Sequence, residues 1–160
     1  MKEVKIETRL EVYEDISELP VQVQSLMKKA VEVREAAYAP YSKFNVGAAI
    51  LLENDEIIVG SNQENASYPS GLCAERTAIY YANAKFPNVN MRMMALTASS
   101  RNKVTDKPIA PCGACRQAIA EYEIKQQKPI EIYFMGAKGK VVKSGSLANL
   151  LPLLFENSVL

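Results

Sequence analysis

Residues 44–62 read Phe-Asn-Val-Gly-Ala-Ala-Ile-Leu-Leu-Glu-Asn-Asp-Glu-Ile-Ile-Val-Gly-Ser-Asn, and this stretch decides the fold. Phe44 to Leu52 and Glu56 to Asn62 are rich in Val and Ile and flank Glu53-Asn54-Asp55, the pattern of a β-hairpin. Downstream, Cys73 to Lys85 lacks Gly and Pro and sets Ala78, Ile79 and Ala82 at helical spacing before Phe86-Pro87 stops it. Met91 to Ala98 is an apolar run suited to a buried strand, and Cys112 to Lys125 repeats Ala114, Ala118, Ile119 and Tyr122 in helical rhythm. Pro129 to Met135 predicts another strand, followed by a turn over Gly136 to Gly139 and a short extended piece at Lys140 to Lys143. A last helix is expected around Ser146 to Leu151. Upstream, Val23, Leu26, Met27, Ala30, Val33 and Ala37 recur at spacings of three and four, so Pro20 to Ala37 reads as a helix, broken at Tyr38-Ala39-Pro40. Residues 1–16 space Val4, Ile6, Leu10 and Val12 evenly, as in an extended arm. A hairpin followed by alternating helices and strands predicts an α/β fold: a mixed five-stranded sheet with helices on both faces. The expected organisation is an arm over 1–20 and a single domain over 21–160.

The 160-residue length suits one core. Lys and Arg total 19 against 18 Asp and Glu, so no single-sign field gathers phosphate backbones or anionic lipid, and neither nucleic acid nor membrane is an expected partner. The N-terminus has no continuous apolar stretch, which makes the cytoplasm the expected compartment. Three cysteines cannot complete an intramolecular disulfide framework, which favours thiols put to chemical use. Histidine is absent, so acid-base work near neutrality falls to a carboxylate, Lys, Cys or Tyr.

Two short motifs carry the chemistry: Cys73-Ala74-Glu75 and Pro111-Cys112-Gly113-Ala114-Cys115. Three cysteines match a catalytic zinc shell, which takes three protein ligands and leaves the fourth position for water. Each cluster sits where a helix begins, and the positive end of a helix favours the thiolates that zinc needs. Cys73 and Glu75 are two apart and would point to opposite sides of a regular helix, so the geometry requires Cys73 at the cap. Glu75 could then accept a proton from the metal's water and deliver it onward. Three thiolates leave the dication over-neutralised, and Arg76 and Arg116 are candidates to donate hydrogen bonds to sulfur.

At these residues the sequence resembles the small, homotetrameric zinc-dependent cytidine deaminases, whose signature pairs a ligand two before a glutamate with a later Pro-Cys-x-x-Cys. Further stretches match at Tyr38-Ala39-Pro40-Tyr41-Ser42, Phe44-Asn45-Val46-Gly47-Ala48-Ala49, Asn62-Gln63-Glu64-Asn65-Ala66-Ser67-Tyr68, and Leu150-Leu151-Pro152 with Phe155. The resemblance covers about residues 22–155. It implies a three-layer cytidine deaminase-like fold and one Zn2+ per subunit on Cys73, Cys112 and Cys115. It also implies attack of zinc-bound hydroxide on C4 of free cytidine or deoxycytidine, with Glu75 as proton shuttle, in pyrimidine salvage. Asn62 and Glu64 would bind the ribose hydroxyls, Phe44 would pack on the ligand, and Ala74 would offer backbone to the base. Phe155 would stack on the base of a neighbouring subunit, so that a homotetramer shares its sites. Leu153-Leu154 depart from the smaller residues usual before that phenylalanine.

Three other readings compete. Cys112-Gly113-Ala114-Cys115 alone would suit a thioredoxin-like redox motif, which leaves Cys73 and Glu75 unused. A structural zinc module would need a fourth protein ligand, which without histidine only a carboxylate could provide, and Glu75 closing the shell would exclude catalysis. A polynucleotide deaminase would need basic surface that the balanced charge does not supply.

Overall fold

The computed structural model describes residues 1–156; the last four residues of the expected domain lie outside that range. Among the described residues six strands and three α-helices follow one another as β1 (Glu11–Tyr13), α1 (Val21–Arg34), β2 (Phe44–Leu52), β3 (Ile57–Ser61), α2 (Ala74–Lys85), β4 (Met91–Ser100), α3 (Gly113–Gln126), β5 (Glu131–Met135) and β6 (Val141–Ser144). The sheet order is β1-β6-β5-β4-β2-β3. The expected hairpin pairs Gly47 with Ser61 through to Leu51 with Ile57, and Asp55 takes positive φ in its turn, a conformation Asp tolerates.

Two expectations change. The sheet has six strands rather than five, because the arm contributes β1, which pairs antiparallel with β6 from Glu11–Lys143 to Tyr13–Val141. The helix expected over Ser146 to Leu151 is a single 3-10 turn, Leu147–Asn149. Pro152 pushes Leu151 out of the helical region and ends it there.

Alternation along β2 sorts the core into two layers. Ala49 and Leu51 face α1 with Met93, Ala95, Tyr133 and Met135, against Val23, Leu26, Met27 and Ala30. Ala48, Ile50 and Leu52 face the other way with Met94, Leu96 and Ile132, packed on Ala78, Ile79 and Ala82 of α2 and on Ile119 and Ala120 of α3. Fully buried side chains such as Leu26, Met27, Ile50 and Ile79 each contribute about 1.5–3 kcal/mol.

The sheet also fixes where the motifs meet. β2 runs antiparallel to both β3 and β4, so β3 and β4 are parallel to each other, and β4 is parallel to β5. α2 and α3 are therefore crossover helices between parallel strands, on one face, and both start past the carboxyl ends of the strands that precede them, where open α/β sheets bind ligands. Gly60 sets the depth of α2: a Cβ there would lie 2.8 Å from the Ala74 carbonyl and 2.6 Å from the Ala78 nitrogen. Only glycine lets the first turn of α2 lie directly on β3.

Candidate active site

Cys73 and Cys112 occupy the caps of α2 and α3 with extended backbone, φ −71°, ψ 156° and φ −67°, ψ 167°, and neither side chain caps its helix. The condition set by the two-residue Cys73–Glu75 spacing is thus met: the cap lets the thiol and the first-turn carboxylate turn inward together. Cys115, one turn into α3, is buried, whereas Cys112 is exposed. The Cys73 and Cys112 sulfurs lie 3.9 Å apart, those of Cys112 and Cys115 3.4 Å, and all three within 4.8 Å. Bonds of about 2.3 Å to a tetrahedral zinc require sulfurs roughly 3.8 Å apart, so this donor set fits the ion. Among the described residues Glu75 is not part of the ligand group, which leaves the shell three-coordinate in protein.

The electrostatics suit that assignment. The Cys73 thiol is pulled down to about 5, first by the hydrogen bond from Cys115 and then by Arg76 and Cys112, against the opposing effect of burial. Cys115 moves up, because it donates to Cys73 and is buried beside Glu75. Without metal Cys73 is thus the thiolate of its pair with Cys115, and binding a dication must release the proton that Cys115 holds. The Arg76 guanidinium Nη2 donates to the Cys73 sulfur at 3.7 Å. Arg116 differs from expectation: its Nε donates to the Pro111 carbonyl at 2.9 Å and its Nη1 to the Leu150 carbonyl at 2.8 Å, with no hydrogen bond to sulfur. Its side chain folds back along α3 and braces the turn entering Cys112.

Glu75 is buried, with 5% of its surface exposed. Burial pushes its carboxyl above the usual carboxylate range and the Cys73 charge adds to this, while its own backbone N–H, the Cys115 thiol and Arg76 oppose. It faces a cavity of ≈ 730 Å³ bounded also by Cys73, Arg76, Cys112, Phe44, Asn62 and Glu64. The Asn62 amide is anchored to β2: Oδ1 accepts from the Val46 N–H at 2.7 Å and Nδ2 donates to the Phe44 carbonyl at 2.9 Å. One N–H and one lone pair remain for a ligand. Glu64 accepts from the Tyr41 and Ser42 amides at 2.9 and 3.3 Å. Burial works to raise its carboxyl, but those hydrogen bonds and Lys43 outweigh it and hold the group below its ordinary value. Ala74 is buried behind the wall, and Phe155 stands 62% exposed outside this cavity, its carbonyl accepting from Gln117. Tyr41, Tyr68 and Ile109 also line the cavity. Sequence reasoning assigned them no role, although Tyr41 and Tyr68 sit inside the quoted stretches.

The description of the zinc-binding region of cytidine and deoxycytidylate deaminases matches residues 20–128. The chain belongs to this deaminase family. It is 39% identical over 134 residues to a cytidine deaminase of Sporosarcina psychrophila, covering 84% of this chain and 91% of that one. To the cytidine deaminase of Halalkalibacterium halodurans it is 46% identical over 98 residues, 61% and 70% of the two chains. The crystal structure of cytidine deaminase from Burkholderia pseudomallei superposes with a TM-score of 0.70 at 37% identity, over 82% of this chain and 97% of that chain. The deaminase is therefore a zinc-dependent hydrolase, and Cys73, Cys112 and Cys115 form a group able to hold the ion. Its residues 1–19 precede the family match.

Proposed function

We propose that this deaminase hydrolyses free cytidine and deoxycytidine to uridine and deoxyuridine with release of ammonia, in cytoplasmic pyrimidine salvage. The observation that carries the reading is a buried, non-ligating carboxyl, Glu75, beside three clustered sulfurs on the wall of a cavity large enough for a nucleoside. Zinc, when bound, supplies the Lewis acidity that brings the ionisation of water towards neutral pH.

Glu75 takes one proton of the attacking water and passes it to the ring nitrogen, then takes the second from the hydroxyl formed at C4 and delivers it to the amine as the C4–N bond breaks, so one water proton ends on the ring and the other in ammonia. Its raised affinity for protons suits a group that must donate as well as accept near neutrality. Arg76 offsets thiolate charge at Cys73, and Arg116 holds the Pro111–Cys112 turn in place. The free N–H and lone pair of Asn62, together with the Glu64 carboxylate, recognise the sugar hydroxyls; Phe44 packs on the ligand and the Ala74 backbone meets the base. Phe155, exposed on its own subunit, stacks on the base bound by a neighbour in a homotetramer. Residues 21–160 act as one catalytic domain, and 1–20 are an arm.

The test is the ultraviolet absorbance change of cytidine and deoxycytidine incubated with purified protein. Turnover that is abolished by a chelator and restored by zinc is the expected result. No turnover of either nucleoside by the zinc-loaded protein overturns the reading.

A further inference from the structure

The arm ahead of the family match carries a pattern that the catalytic reading does not use. β1 ends the sheet, with β6 on one side and no strand among the described residues on the other. Residues 1–10 are exposed and have no strand partner among the described residues, with Val4 75%, Ile6 51% and Leu10 43% exposed; Val12, in β1, is 59% exposed. All four hold even positions, and the odd positions alternate in sign: Glu3, Lys5, Glu7, Arg9, Glu11. Lys5 and Glu7 already lie on one side of the arm, joined by an ion pair. An apolar face backed by alternating charge on an open sheet edge is a template for another strand.

The charges select the partner and the register. In a parallel, in-register pair of arms every charge would meet its own copy. An antiparallel pair centred on Glu7 would set Lys5 against Arg9 and Glu3 against Glu11. Centring on Ile6 satisfies the charges but puts Lys2 opposite Leu10. Centring on Thr8 sets Lys5 against Glu11 and Glu7 against Arg9, each twice, and on the other face Val4 against Val12 and Ile6 against Leu10. Directly opposed side chains are the unit of sheet stabilisation, so this register satisfies both faces at once.

We propose that residues 4–12 form a docking strand for a second copy of this chain, the two arms pairing antiparallel about a two-fold axis at Thr8 and joining two sheets edge to edge. This contact between copies is separate from the sharing of active sites proposed above, and its test does not depend on activity. Thr8→Cys places two thiols across the axis. In zinc-loaded protein under mild oxidation, the inter-protomer disulfide between the introduced thiols is identified by peptide mass spectrometry and its rate of formation measured. Thr8→Cys should cross-link faster than Ile6→Cys. Adding Arg9→Glu sets carboxylate against Glu7 and should slow the reaction about tenfold, whereas Glu7→Arg with Arg9→Glu restores opposite charges and should return it to within about twofold. Absence of the cross-link, faster reaction of Ile6→Cys, indifference to Arg9→Glu, or failure of the double exchange to restore the rate would each overturn the proposal.

Discussion

Two kinds of helix start occur in this chain, and they serve opposite ends. Asp15 and Ser146 open 3-10 turns, and their side chains accept first-turn amides, from Ser17 at 2.6 Å and from Ala148 at 3.1 Å. Cys73 and Cys112 open α2 and α3 from the same extended backbone, yet their side chains make no capping bond. A good cap contributes about 1 kcal/mol. The site forgoes that at two helices, and in return two sulfurs stand at the positive ends of helices, turned toward a common point. Stability and metal chemistry compete for the same position in the helix.

The largest effect is expected of Cys73→Ser, which supplies a good capping hydroxyl and removes one of the three sulfurs. Zinc retention and turnover should both collapse to background, while the metal-free protein should gain about 1 kcal/mol, or roughly 2–4 °C in melting midpoint. Metal analysis and thermal scans on chelated protein read the two effects separately. A variant that keeps its zinc, or a chelated variant less stable than its parent, would dissolve the contrast.

Glu75→Gln separates the three sulfurs from the carboxyl proposed as proton carrier. It should keep one zinc per chain and lose about 10²–10⁴ in kcat. The same substitution tests the buried carboxyl through stability. Its folded affinity for protons is raised, so its contribution is present below the unfolded pKa of about 4.3 and is lost as pH rises through the folded value. Metal-free Glu75→Gln should therefore out-melt metal-free parent at pH 8, with the gap closing towards about pH 4.5.

Gly60→Ala attacks the placement of one cysteine-capped helix without touching the site. The new Cβ meets backbone of α2, which cannot yield as a side chain would, so about 1–3 kcal/mol should be lost and zinc should dissociate faster. Ser146→Ala provides the smallest effect: about 1 kcal/mol of stability, with zinc content and kcat unchanged.

The hairpin over 44–62 and the role of Cys73 as a cap were legible in sequence, because strand alternation and the Cys73–Glu75 spacing are local constraints. The extended character of the arm was legible too, but its entry into the sheet was not, since three residues on an edge, Glu11-Val12-Tyr13, owe their pairing to β6 some 130 residues away. The partners of Arg116 were hidden for a related reason. Its neighbour Cys115 suggested sulfur as acceptor, but the Leu150 carbonyl that it reaches comes from a distant segment. The cavity wall at Ile109 likewise depends on where the loop after β4 lies.

The proposed activity requires a zinc shell of three sulfurs with a lighter atom in the fourth place and Glu75 outside it. X-ray absorption at the zinc edge of the purified protein tests this directly. Three sulfur scatterers at about 2.3 Å and one oxygen or nitrogen at about 2.0 Å, unchanged in Glu75→Gln, are predicted. Two sulfurs or fewer, or a light-atom shell altered by Glu75→Gln, would contradict it.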